Sequence, residues 1–214
     1  MNITLFGASG GIGSLLTSYA LNCGDTVTAH VRNPEKINQR HSNLNIVAGE
    51  LTDMNSMEKA IAIADVVIST LGPSMKKPED AMATPIANGH SNIIKALEEL
   101  GKKRFVTLAT PSVNAKEDKN SFATRFPGFV AKLFLPSAYR DIVKTGEIIK
   151  ASHLDWTVVR IISPNAKDNG KGYAYTFGDT KAKMSVSRQN VAAFMYDVAN
   201  DPKYIHRMPI VYNI

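Results

Sequence analysis

The stretch Gly7-Ala8-Ser9-Gly10-Gly11-Ile12-Gly13 decides how this chain is read. It follows directly on the apolar run Asn2-Ile3-Thr4-Leu5-Phe6 and leads into a periodic apolar segment that predicts a helix over residues 11–22. A strand, a glycine turn and a helix start in immediate succession form the context in which glycines cradle a phosphate. Glycine allows the tight turn and the close approach of backbone to a pyrophosphate, and the helix start offers unpaired N–H groups and a partial positive charge. A P-loop would close on Gly-Lys-Ser/Thr. Here Gly13 is followed by Ser14 and Leu15, so the pattern favours a dinucleotide over ATP.

Working outward, apolar runs of strand length alternate with helical patterns. Strands are expected over 26–31, 44–48, 65–70, 104–109, 156–161 and 210–213, and helices over 55–63, 85–100, 138–152 and 188–200. Such alternation predicts an α/β, doubly wound parallel sheet of the Rossmann kind, covered by helices on both faces. Residues 1–214 are expected to form a single NAD(P)-binding domain with small substrate-side loops. The segments 114–125 and 164–183 are too polar for core and are expected as mobile loops over the carboxyl edge of the sheet, where ligands sit in such folds.

The totals set the class. A chain of 214 residues with 44% hydrophobic and 21% charged residues suits a globular protein with a large core. The lone cysteine, Cys23, has no disulfide partner, which points to a reducing, cytoplasmic compartment, and the thiol is expected to be packed and inert. No secretory leader and no membrane span is read from the sequence. The net charge of +6 suits anionic ligands, but the cations are scattered without interleaved aromatics, so nucleic acid is not expected as a partner. The histidines, at 30, 41, 90, 153 and 206, show no metal-ligand spacing.

The second strand selects the dinucleotide. NAD binders end it with an acid for the ribose 2′-hydroxyl, and NADP binders place a cation there. Here the chain reads Val31-Arg32-Asn33, with no acid, so Arg32 is assigned to the 2′-phosphate and NADP(H) is the expected cofactor. Asp53, in Gly49-Glu50-Leu51-Thr52-Asp53, fits an adenine amino group or a helix N-cap, and both readings stand. After the fourth strand, Ser69-Thr70-Leu71-Gly72-Pro73 would bring backbone close to a ribose.

Taken in order, GASGGIG, VRNPEK, GELTD, ADVVISTLG and HLDWTVVRIISPN resemble the atypical short-chain dehydrogenase/reductase group, and within it the NmrA-like and biliverdin reductase B (flavin reductase)-like NAD(P)H-binding proteins. The resemblance covers nearly the whole chain and is weakest over 114–136 and 165–183. It implies a Rossmann fold, NADP(H) binding and reduction of a flavin, quinone or tetrapyrrole. It places Gly7, Ser9, Gly10, Gly11, Ile12 and Gly13 on the phosphates and Thr70, Leu71 and Gly72 on the nicotinamide-side ribose. Ile162 and Ser163 would lie near the nicotinamide.

The departures bear on mechanism. The catalytic Tyr-x-x-x-Lys of the larger group is absent; Tyr139 comes nearest, but Lys144 lies five residues on, and on a helix the one extra residue turns it about 100° further from the face the tyrosine uses. Tyr139, Asp141 and Glu147 resemble the family's structural helix, and Asn190 stands where the family usually has Asp, with Ser187 before it as an expected N-cap. Thr110 and Tyr139 are the candidate catalytic hydroxyls, with Ser112 a weaker alternative. His90 could face the cofactor or be packed. Phe122, Phe126, Phe129 and Tyr173 could stack on an acceptor or simply pin loops. The expected activity is NADPH-dependent reduction of a planar acceptor by a monomer or homodimer, the alternative being a redox-sensing NADP(H)-binding protein without turnover.

Overall fold

The computed structural model describes residues 1–72, 82–119 and 132–214. Along the first half of the chain run β1 (Asn2–Phe6), α1 (Gly13–Asn22), β2 (Thr26–Val31), β3 (Leu44–Ala48), α2 (Met54–Ile61), β4 (Val66–Ser69), α3 (Pro85–Glu99) and β5 (Arg104–Ala109). The second half adds α4 (Pro136–Ala151), β6 (Asp155–Ile161), β7 (Pro164–Asn165), β8 (Tyr173–Thr176), β9 (Val186–Ser187), α5 (Arg188–Asn200) and β10 (Ile210–Asn213). Among the described residues an eight-stranded sheet has the order β3-β2-β1-β4-β5-β6-β10-β8, with β7 and β9 paired separately. All pairs are parallel except β10 with β8.

Alternation along each strand divides the core. Ile3, Leu5, Ile68, Val106 and Val159 pack toward Leu16 and Ala20 of α1 and Phe194 and Met195 of α5. Phe6, Val67, Phe105 and Val158 pack toward Met57, Ile93, Leu97 and Ile149 of α2, α3 and α4. Strands buried on both faces must be apolar at nearly every position, which is why they read as runs rather than alternations. Each buried Leu, Ile or Phe contributes roughly 1.5–3 kcal/mol of burial energy.

The strand order reverses at β1, whose neighbours on its two sides are β2 and β4. Phe6 pairs with His30 on one side and Ser69 on the other, so the chain leaves β1 and β4 side by side at the carboxyl edge. In a doubly wound sheet that switch point opens a crevice.

Two expectations are corrected. The segment 164–183 is no mobile loop throughout: β8 lies within it and pairs antiparallel to β10, Ile210 with Thr176 and Asn213 with Tyr173. Glycines at positive φ (Gly170 at 66°, Gly172 at 80° and Gly178 at 95°) turn the chain on either side of this short strand. Its Tyr173 and Tyr175 rings lie 5.2 and 5.4 Å from that of Phe194, so aromatic packing rather than a hydrophobic run holds it. Cys23, expected to be packed, is exposed, because α1 ends there and Gly24 turns the chain at φ 84°. No helix among the described residues is long and apolar enough to cross a membrane.

Candidate functional site

Gly7 has φ 85°, and a Cβ there would stand 2.7 Å from Thr70 Oγ1. A Cβ on Gly13 would stand 2.2 Å from the Gly7 carbonyl oxygen, so both positions require glycine. The turn is held from within: Gly10 N–H donates to Gly7 O (2.9 Å), and the Thr70 hydroxyl donates to Phe6 O and Gly7 O at 3.2 and 3.1 Å. No side chain caps α1, and among the described residues the N–H groups of Gly11, Ile12 and Gly13 have no acceptor. Unpaired donors at the positive end of a helix, at the carboxyl edge of the sheet, make an anion cradle. Ser9 is exposed on the same turn.

Beyond β2, Arg32 is exposed and makes no hydrogen bond or ion pair with the described residues. The segment after it is tied to the start of α1, since Gln39 Nε2 donates to Ser14 O (2.8 Å) and Ser18 Oγ (2.5 Å). Asp53 caps α2, one carboxylate oxygen accepting from Ser56 N–H at 3.2 Å, and the other has no partner among the described residues. The cap and the ligand readings of Asp53 are therefore compatible. Ser56 Oγ donates to Asp53 O (3.0 Å) and lies 2.9 Å from His30 Nε2. Burial lowers the pKa of His30 against the opposing pull of Asp53 and Glu50. Gly49 makes this corner possible, for a Cβ there would stand 2.0 Å from Ser56 Oγ. Sequence reasoning missed Gly49, Ser56 and Gln39; the glycine directly after a strand was the available signal.

At the end of β4, Thr70 and Leu71 are half-buried and Gly72 is exposed. Ser69 beneath them joins a buried network: His90 Nδ1 bonds Ile86 O (2.8 Å), and His90 Nε2 lies 3.1 Å from Ser69 Oγ and 2.9 Å from Thr107 Oγ1. With Nδ1 donating to a carbonyl, the bare Nε2 accepts from both hydroxyls, and the ring is neutral. Burial takes the His90 pKa down to about 4. His90 is thus a fully buried tie between β4 and β5, and not a solvent-facing group.

The helix carrying Tyr139 does a structural task. The buried Asp141 carboxylate accepts from the N–H groups of Ile86 (3.1 Å) and Ala87 (2.8 Å), capping α3 from a different helix. Thr84, at the N-cap position of α3, makes no cap bond of its own, and Lys144 Nζ donates to its hydroxyl at 3.1 Å. Lys144 Nζ is therefore engaged by Thr84, while its side chain lines the same groove as Tyr139. Tyr139 is half-buried in a surface groove of about 570 Å³ lined also by Lys132, Arg140, Val143 and Glu147.

After β5, the Thr110 oxygen accepts from Ser112 N–H (3.4 Å), which leaves its own hydroxyl proton without a described acceptor. Ser112 Oγ is buried and has no partner among the described residues. After β6, Ile162 is buried and Ser163 takes φ 43°, an uncommon value for a non-glycine residue and one that concentrates at ligand sites. Tyr173 takes part in packing: its hydroxyl donates to Asp197 and its ring meets Phe194 edge-on. Phe122, Phe126 and Phe129 lie outside the described residues.

Arg160, which no local signal in the sequence singles out, organises this side. Wholly buried, it pairs with Asp118 at 2.6 Å and donates to Met208 O (2.9 Å), Phe177 O (3.2 Å) and Val113 O (3.4 Å). Gly178 lets the loops meet, since a Cβ there would stand 2.0 Å from Asp118 Oδ1, and Lys119 N–H donates to Gly178 O at 3.0 Å. The described parts of the two polar segments are thereby clamped to the sheet through one guanidinium.

A family model described as NAD(P)H-binding matches residues 7–202. A phenylcoumaran benzylic ether reductase of Ginkgo biloba is 30% identical over 227 residues, covering 96% of this chain and 67% of the relative. The chain spans between 33% and 67% of the length of the curated relatives it matches. Among solved structures, a short-chain dehydrogenase/reductase from Veillonella parvula in complex with NADP is 19% identical, with a TM-score of 0.79 over 99% of this chain and 94% of that one. An anaerobillin reductase from Escherichia coli is 20% identical with the same TM-score, 0.79, over 100% of this chain and 97% of its own. At that level of identity the structures show a shared fold.

Proposed function

Because the chain belongs to this NAD(P)H-binding family, we propose that it is an NADPH-dependent reductase that passes a hydride to a planar acceptor of the flavin, quinone or tetrapyrrole class. The observation that carries the reading is the trio of N–H groups at Gly11, Ile12 and Gly13 unpaired among the described residues, beside a turn in which Gly7 and Gly13 leave no room for a Cβ. Gly7, Ser9 and Gly10 complete the phosphate loop. Arg32, exposed past β2 with no described partner, takes the 2′-phosphate and sets the preference for NADPH over NADH. The free oxygen of Asp53 serves the adenine, Thr70, Leu71 and Gly72 serve the second ribose, and Ile162 and Ser163 border the nicotinamide.

The bound cofactor supplies the hydride; the chain's own part is placement. Thr110, whose hydroxyl proton has no described acceptor, is positioned after β5 to donate to an acceptor. An easily reduced planar acceptor needs little further acid help, consistent with the engagement of Lys144 by Thr84. The reductase names of the relatives support the chemistry, and the anaerobillin reductase among the structures supports a tetrapyrrole as one member of the acceptor class. The finer placement with NmrA-like and biliverdin reductase B-like proteins, a cytoplasmic setting and function as one domain over residues 1–214 belong to the same proposal.

The test is oxidation of NADPH, followed by the loss of its absorbance, against FMN, FAD, riboflavin, simple quinones and biliverdin. Turnover with one acceptor supports the reductase and names its class. Tight NADPH binding without turnover on any acceptor refutes it in favour of a redox sensor.

A further inference from the structure

The phosphate loop from Gly7 to Ser14 contains no charged residue, yet a guanidinium lies on it. A methyl group added to Gly11 would stand 3.1 Å from Arg188 Cδ, 3.4 Å from Nε and 3.9 Å from Cζ. Arg188 is the first residue of α5 and is exposed, and it makes no hydrogen bond or ion pair with the described residues.

Its position is electrostatically adverse. Helix N-termini favour acids, and neither α1 nor α5 carries an acidic residue in its first turn. The unpaired N–H groups of α1, the start of α5 and a free guanidinium therefore meet with no anion of the protein among them. A local choice that opposes the helix dipole without compensation is a mark of a functional position.

The backbone that carries Arg188 is fixed. Ser187 Oγ accepts from Asn190 N–H (3.0 Å), Ser187 N–H donates to Asn213 Oδ1 (2.9 Å), and Asn190 Nδ2 donates to Asn213 Oδ1 (2.9 Å) and Gly172 O (2.8 Å). The pairing of β7 with β9 adds a second restraint just before it. Asn190 can donate both of these amide bonds where a carboxylate could not. A rigid base with an unengaged charged tip is suited to ligand binding.

We propose that Arg188 is a cofactor-binding residue that engages the pyrophosphate of the dinucleotide at Gly11. The inference rests on the cofactor reading given under Proposed function and extends it to a residue far from the glycine motif in sequence. Arg188 acts on the pyrophosphate common to NADPH and NADH and sets the affinity for both, while Arg32 discriminates between them.

The experiment titrates NADPH, NADH and 2′-AMP into the wild-type chain and into Arg188→Gln, Arg188→Lys and Arg32→Ala, at low and high salt. Arg188→Gln weakens both dinucleotides by roughly tenfold to a hundredfold, leaves 2′-AMP unchanged because it has no pyrophosphate, and flattens the salt dependence. Arg188→Lys recovers part of the loss. Thermal unfolding without ligand stays the same for an exposed side chain, separating binding from folding. Unchanged affinity of Arg188→Gln for both dinucleotides, or an effect confined to the KM of the acceptor, overturns the inference and leaves the cofactor site standing. A wild-type chain that binds neither dinucleotide overturns both.

Discussion

Between Phe6 and Ser14 the chain shapes its cradle from consecutive residues, with Thr70 and Gln39 bracing it from outside among the described residues. Beyond β5 and β6 the same carboxyl edge is assembled from distant parts: Asp118 and Val113 from one loop, Phe177 from another, Met208 from a third, all gathered on Arg160. The two halves meet at His90, which accepts hydroxyls from Ser69 of β4 and Thr107 of β5. A phosphate is the same in every dinucleotide, and backbone N–H groups suffice to bind it. An acceptor site must vary with its substrate, and loops anchored by one internal cation can vary while the sheet stays fixed.

The strongest break in this comparison is Arg160→Leu. It strands the Asp118 carboxylate in a mostly buried setting and is expected to lower stability by about 3–5 kcal/mol, with the loss partly restored in the double variant with Asp118→Asn. NADPH affinity should change little in whatever fraction remains folded. A collapse of cofactor binding at unchanged stability would show that the two halves are not separate.

His90 tests the seam. Its folded pKa of about 4 lies below the ordinary 6.5, so the unfolded chain binds a proton that the folded chain refuses. Stability is intact above pH 6.5 and falls as the pH is lowered through that window toward 4, by on the order of 2–3 kcal/mol. Urea unfolding of wild type and His90→Gln across this range should show a flatter profile for the variant. Parallel profiles would mean that the ring is not the responsible group.

Arg32→Ala sharpens the phosphate side. NADPH binding should weaken about tenfold to a hundredfold while NADH binding stays nearly unchanged. Equal losses for both would remove Arg32 from the 2′-phosphate. The smallest effect is expected from Tyr139→Phe. Its helix caps α3 and its neighbour Lys144 is engaged by Thr84, so most turnover with the acceptor found in the panel should survive. A loss in kcat of a hundredfold or more, the scale of general acid catalysis, would make Tyr139 the proton donor.

Much of the edge could be read ahead of the structure. GASGGIG between an apolar run and a helix, the missing acid after β2, Asp53 before α2 and Ser187 before α5 are local signals, each enacted by residues within a few positions of one another. The misreadings fall where partners are distant. Tyr173 to Thr176 looked like loop because a short edge strand next to glycines has no hydrophobic run, and only β10 and the Phe194 ring make it a strand. Cys23 looked packed because it follows apolar helix positions, and its exposure depends on where Gly24 turns the chain.

By itself the sequence determined the alternating α/β order, the glycine turn and the sign of the charge past β2, because periodicity, φ freedom and local capping are short-range properties. Tertiary structure alone decided that Arg160 would be an internal clamp, Asp141 a cap for another helix and Arg188 a cation laid on Gly11. Each of these is a charge, and what a charge does depends on which groups the fold brings within a few ångströms of it, a distance that chain order does not encode.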